Sequence, residues 1–245
     1  MALQSGYIGV PGQSIFKSSS TQEHSLGVKV TAEDGKEYRY IKAGEDIAAG
    51  LLVQTTLEHA HHESLTPDAS AVGDKTIIMT LGATAATANE YAGGWMVVTN
   101  TPGLGLMYEI DHHASNAGSL ALTVYLKDPI KVDLTTSSRV DLVHNPYKDC
   151  LIFDGGDGTE TGIPLGVTTT AITSGEYGWI CVTGAISCLA DGNITIGQGI
   201  VATNSATING AVLAMANGLE ALCPVGYGLT TGTDTEYPAV FIKIG

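Results

Sequence analysis

The chain has 245 residues, 44% of them apolar and only 15% charged, against a usual level of about 25% charged. Its formal net charge is −14, and its 11 Lys and Arg form no cluster or stripe. That argues against nucleic acid, whose phosphates need concentrated positive charge, and against an anionic membrane surface. No apolar run approaches the ~20 residues of a membrane span, and the opening "MALQSGYIGVPGQS" lacks the basic and apolar regions of a signal peptide.

With 31 glycines and abundant Thr, the chain reads as all-β. The expected fold is small β-sandwich or β-barrel-like units, two of them, behind an extended N-terminal arm. The expected division is an arm at 1–26, a β domain at 27–150, a Gly-rich linker at 151–163 and a second β domain at 164–245. The arm is polar and punctuated ("GQSIFKSSSTQEHS"), with Ile8, Val10, Ile15 and Phe16 spaced as if to fill separate pockets on a partner. These four are the candidate contacts to a partner or to a second copy of the chain.

"LGVKVTAEDGKEYRYIKAG" (26–44) alternates as a hairpin about Asp34-Gly35. A two-residue Asp-Gly turn, closed by Glu33 and Lys36, is the expectation. Strands follow at 51–57 and 76–81, and "ATAATANEYA" (83–92) reads as a short helix or a loop. Residues 94–99 and 106–112 pair around "NTPGLG", and "SLALTVYL" (119–126) alternates as a strand. From 164 onward, short strands recur at roughly ten-residue spacing, as in a sandwich or barrel. "GAVLAMANGLEAL" (210–222) is the one helix-like stretch there, weakened by Gly210 and Gly218.

Two phrases occur twice. "EYAGGWMVVTN" (90–100) and "EYGWICVTG" (176–184) hold both tryptophans. "AGEDIAAGLLV" (43–53) and "ADGNITIGQGI" (190–200) share Ala, Ile, Gly and an apolar residue at equal spacing. They suggest β units built alike. Trp95 and Trp179 sit inside apolar strands and read as core anchors, with Gly94 and Gly178 beside them letting strands approach closely. A hairpin turning at Gly184-Ala185 would set Cys181 against Cys188, but the four cysteines have no C-x-x-C spacing and read as free thiols.

Chemistry-bearing clusters are few. "EHAHHES" (58–64) and "DHH" (111–113) are the most site-like. On a strand, His59 and His61 would share a face, and two imidazoles on one face suit zinc or nickel. The spacing is not H-E-x-x-H, so the reading is solvated loop histidines and no cofactor; His59, His61 and His113 are the residues a metal would find. "DGGDGTE" (Asp154, Asp157, Glu160) lacks the calcium-loop pattern and reads as a turn between domains. G-x-S-x-G, a P-loop and a dinucleotide fingerprint are absent, and no enzyme is expected.

The order of phrases resembles virion structural proteins of tailed bacteriophages, head decoration (cement) proteins above all. The resemblance runs from about Tyr38 to Ala202 and rests on "EYAGGWMVVTNTPGLGLMYEI", "LTVYLKDPIKVDL", "VDLVHNPY" and "PLGVTTTAITSGEYGWICVTGAISCLADGNITIGQGIV". It implies small β domains, commonly homotrimers, that sit on the outside of an icosahedral head and clamp the major capsid protein. It implies a virion location after assembly in the host cytoplasm, a reducing compartment that suits unpaired thiols. Cys181, Cys188 and the histidine clusters depart from that pattern. The runner-up is a receptor- or glycan-binding module of a phage fibre, which needs an exposed aromatic or acidic cleft.

Overall fold

The computed structural model describes residues 14–155, 161–215 and 223–244. Strand makes up 42% of it and helix 1%, so the all-β class holds. In chain order the strands are β1 (Lys29–Thr31), β2 (Glu37–Lys42), β3 (Leu52–Gln54), β4 (Thr76–Thr80), β5 (Trp95–Asn100), β6 (Met107–His113), β7 (Ala121–Leu126) and β8 (Arg139–Val143). They continue with β9 (Leu151–Ile152), β10 (Pro164–Thr168), β11 (Tyr177–Ser187), β12 (Ala190–Asp191), β13 (Gly199–Ala202), β14 (Val212–Ala214), β15 (Pro224–Gly228) and β16 (Ala239–Lys243).

The chain forms two compact units, but not at the expected boundaries. Residues 58–146 make one unit; the segment ending at Leu57 and the segment starting at Tyr147 together make the other. The physical reason is strand pairing across the insertion. Val53 in β3 pairs with Ile152 in β9, and Leu52 pairs with Val167 in β10. The start of the Gly-rich stretch after β9 is therefore packed into this unit: Phe153 is fully buried, and a Cβ on Gly155 would stand 2.6 Å from the Thr203 carbonyl oxygen. Asp157 and Glu160 lie outside the described residues, as does the second half of the helix-like stretch, whose first half is strand β14.

In the larger unit, eleven strands form one curled sheet, ordered β12-β14-β13-β15-β16-β11-β10-β3-β9, with β2 and then β1 branching from β11. Its centre is buried on both faces. Along β11, Trp179 and Cys181 enter one cluster with Tyr40, Leu52, Val225, Val240 and Ile242, while Ile180 and Val182 enter another with Ile41, Ile47, Val53 and Ile172. This explains why "GWICV" is continuously apolar rather than alternating. Gly184-Ala185 does not turn, since β11 runs through it and pairs there with Ile242 and Phe241 of β16. Cys181 and Cys188 thus lie along one strand and its end, and they form no disulfide.

The hairpin β1–β2 forms as expected, in a different turn. The Ala32 amide donates to the Lys36 carbonyl, leaving three residues in the loop, with Gly35 at φ 81°. Lys36 pairs with Asp34 at 3.0 Å rather than with Glu33.

Residues 14–26 are not a free arm. Ser19 bridges to Tyr177, the Glu23 amide donates to the Tyr40 hydroxyl, and Ile15 is buried in the Trp179 cluster.

The inserted unit is a five-stranded antiparallel sheet, β4-β7-β6-β5-β8. Alternation holds apart from a bulge in β6 after Ile110: Ile77, Met79, Met96, Val98, Ile110, Leu122, Val124, Val140 and Leu142 face one core. The segment 65–68 bonds both edge strands, Leu65 to Val140 in β8 and Asp68 to Ile78 in β4, so the ring of pairing closes on itself and neither edge is left open. The stretch 83–92 is turn and loop, not helix.

The repeated phrases turn out to be one device used three times. Thr-x-x-Glu-Tyr occurs at 87–91, 173–177 and 233–237. The residue before each Thr exchanges two backbone hydrogen bonds with a second loop: Ala86 with Asn116, Ile172 with Ile47, Gly232 with Ile194. Three residues beyond every one of these six bridge positions the chain turns through positive φ, at Asn89, Ser119, Gly175, Gly50, Thr235 and Gly197, and a strand follows. One such clasp lies in the inserted unit and two in the larger one. In the two clasps of the larger unit, the Ile-Gly phrase is thus the partner of a Thr-x-x-Glu-Tyr phrase; in the inserted unit, Asn116–Ser119 takes its place.

Candidate functional site

The inserted unit gathers four of the chain's seven histidines around Tyr91. Residues 60–62 form a single 3-10 turn, not a strand, so His59 and His61 do not share a face. His61 is exposed and bonds the Thr84 hydroxyl through Nδ1 at 2.8 Å. His62 is buried; its Nε2 donates to the Thr84 carbonyl at 3.0 Å and its Nδ1 meets the Tyr91 hydroxyl. His113, at the end of β6, accepts the Tyr91 amide on Nε2 at 3.0 Å, which puts its proton on Nδ1, donating to the Ala114 carbonyl at 2.9 Å. Both ring nitrogens of His62 and of His113 are therefore engaged, and neither residue is a free ligand.

His59 differs. Its Nε2 faces Glu90 Oε1 at 3.2 Å, and its side chain is 41% exposed. His144, directly after β8, faces the same Glu90 oxygen through Nε2 at 3.4 Å and meets Glu58 Oε2 through Nδ1 at 3.0 Å. The ligand atoms of His59, Glu90 and His144 all lie within 4.8 Å of one another. Glu90 is set by its own turn: its Oε2 accepts the Thr87 amide at 2.7 Å and the Thr87 hydroxyl at 3.1 Å, leaving Oε1 to the imidazoles.

Burial alone would depress the imidazolium of His144 and raise the Glu90 carboxyl. Hydrogen bonds and charge reverse both effects. Glu58 and Glu90 raise His144 to about 9, while His144 and Thr87 hold Glu90 at about 2. Burial, then the charges of Glu90 and Glu58, push the Tyr91 phenol well above its ordinary range.

Of the expected ligands, then, only His59 stands in the cluster. His61 is spent on Thr84 and His113 on the Tyr91 backbone. Sequence reading missed Glu90 and His144. The one signal for Glu90 was the Thr-x-x-Glu turn, which orients a carboxylate; His144, in "VDLVHNPY", carried none.

The two tryptophans also part ways. Trp179 is 1% exposed, with ring centroids 5.0 Å from Tyr40 and 5.4 Å from His24. Trp95 is only half-buried and lies outside the core cluster; Met96 faces inward instead. Two extra residues, Ala92-Gly93, precede the inserted unit's Gly-Trp. Gly93, at φ 76°, turns the chain once more before β5. Gly178 packs against Ile172 and Gly94 against the backbone of β8, where a Cβ would stand 2.5 Å and 2.2 Å from its neighbours, so both glycines do admit close approach.

A second feature lies on the larger unit. Opposite residues in adjacent antiparallel strands share a face. Gly199 in β13 stands opposite Tyr227 in β15, Tyr227 opposite Phe241 in β16, and Phe241 opposite Ala185 in β11. The Met215 amide extends the row by bonding the Gly199 carbonyl. Tyr227 is 58% exposed, Phe241 39% and Met215 37%, and no charged residue interrupts the row. Of the expected contact residues, Phe16 is 64% exposed and Ile15 is buried in its own core, hence unavailable to a partner; Ile8 and Val10 lie outside the described residues.

No family model, curated protein or solved structure matches the chain. Among the described residues no helix is long and apolar enough to cross a membrane.

Proposed function

We propose that the chain is a structural virion protein that binds the outside of a tailed-phage head as a homotrimer and stabilises the capsid. The major capsid protein is its partner, and its role is adhesive rather than catalytic. The single observation that carries this reading from the fold is the uncharged row Met215, Gly199, Tyr227, Phe241, Ala185, which crosses four strands and the residue just after β14. Exposed aromatics on a sheet suit a protein contact, because burying their remaining apolar surface gains roughly 25 cal/mol per Å² and a strand holds them already ordered. The phrase-level resemblance to decoration proteins suggests the identity of the partner, and the reduced Cys181 and Cys188 suit assembly in a reducing cytoplasm.

The exposed Tyr227–Phe241 pair also favours one second reading, a glycan platform on a fibre, since sugars stack on such rings. Cosedimentation separates the two. Purified protein mixed with undecorated heads of the encoding phage is expected to pellet with them, and the double variant Tyr227→Ser, Phe241→Ser is expected to stay in solution while remaining folded. If neither form pellets and the native protein instead gives a glycan-array signal lost in the variant, the fibre reading replaces the capsid reading.

A further inference from the structure

We propose that His59, Glu90 and His144 form a zinc site that clips together the two ends of the inserted unit. The geometry supports it at each level. Two ligands about 2.0–2.1 Å from a tetrahedral zinc ion stand about 3.3 Å apart. The two edges that meet at Glu90 Oε1 measure 3.2 Å to His59 and 3.4 Å to His144. The third edge is at most 4.8 Å, and His59, half-exposed on a short turn, is the ring free to close it.

The supporting groups match what a zinc ligand needs. A ligating histidine carries its remaining proton on the other ring nitrogen and gives it to a carboxylate or carbonyl, which fixes the ring and raises its basicity. His144 presents Nε2 to the centre while Nδ1 lies 3.0 Å from Glu58 Oε2. Glu90 is anchored through its far oxygen by Thr87, so its near oxygen is held in place before any ion arrives. Two imidazoles and one carboxylate suit zinc; they do not suit magnesium or calcium, which take oxygen donors. Three protein ligands leave a fourth position to water.

The placement gives the site a purpose. His59 follows the residue at which the chain enters the inserted unit, and His144 lies two residues before the unit's last, Pro146. A clip between them closes a long loop of chain, the case in which a cross-link restricts the unfolded state most.

The test is zinc titration of untagged protein by isothermal calorimetry, with bound metal counted by mass spectrometry after dialysis. One zinc ion per chain is expected, with a rise in melting temperature that EDTA reverses and that magnesium and calcium do not produce. His59→Ala is expected to fold normally and lose the stoichiometric ion. Glu58→Gln is expected to keep the ligands and weaken affinity about 10–100-fold. His61→Ala, whose ring is outside the cluster, is expected to bind like the native chain. Absence of stoichiometric zinc in the native protein, or equal binding by His59→Ala, overturns the proposal.

Discussion

Truncating Trp179 removes a ring packed between Tyr40 and His24 in the middle of an eleven-stranded sheet. Trp179→Ala is expected to cost about 3–5 kcal/mol, the usual range for a buried aromatic. Trp95→Ala, at a half-buried position off the core, is expected to cost about 1 kcal/mol. Urea denaturation of the two variants measures the difference, and equal costs would contradict the assignment of faces. At this scale the sequence was a partial guide. Both tryptophans stand in near-identical phrases, and nothing in "GGWMVV" announces that β5 is covered on one face, taken by Met96, while β11 is covered on both. The zinc cluster was legible only at His59. Its other members come from the turn before β5 and the end of β8, brought together by sheet closure that no local spacing records.

The clasps are the element that builds both units. Their positive-φ position takes Gly in three cases and Asn, Ser or Thr in the others. Gly197 has open space around its missing Cβ, so a side chain there meets only backbone strain; at Gly50 it would also meet the Tyr237 ring at 2.9 Å. Gly197→Ala is expected to destabilise by about 1 kcal/mol, and Gly197→Asn by clearly less, since Asn tolerates the left-handed region as Asn89 does in the equivalent turn. Gly50→Ala is expected to cost more than either. Thermal unfolding of the three variants checks the order; a costly Asn at 197 would sink the equivalence of the turns. The Ile-Gly and Glu-Tyr phrases were readable as repeats, because a left-handed turn before a strand restricts residue choice. That they clasp each other was not readable, since the pairing depends on long-range strand order. The β1–β2 hairpin was readable because its alternation and its Gly lie within one short window, although the turn carries one residue more than expected.

At the scale of the molecule, the all-β class followed from composition and strand spacing, while the division into units did not. A Gly-rich stretch looks like a linker in sequence, yet Phe153 and Gly155 are packed into the larger unit, and the insertion begins at Glu58 and ends at Pro146, neither of which carries a boundary signal. The same scale holds the functional claim. The row from Met215 to Ala185 gives the larger unit an uncharged strip on an otherwise acidic chain, and a capsid contact would bury it. Cryo-electron microscopy of undecorated heads saturated with the protein tests this most directly. The expected result is density for three copies grouped on the outer surface of the shell, with Tyr227 and Phe241 turned toward the capsid. A shell with no exterior density, or bound copies whose Tyr227–Phe241 row faces solvent, would contradict it.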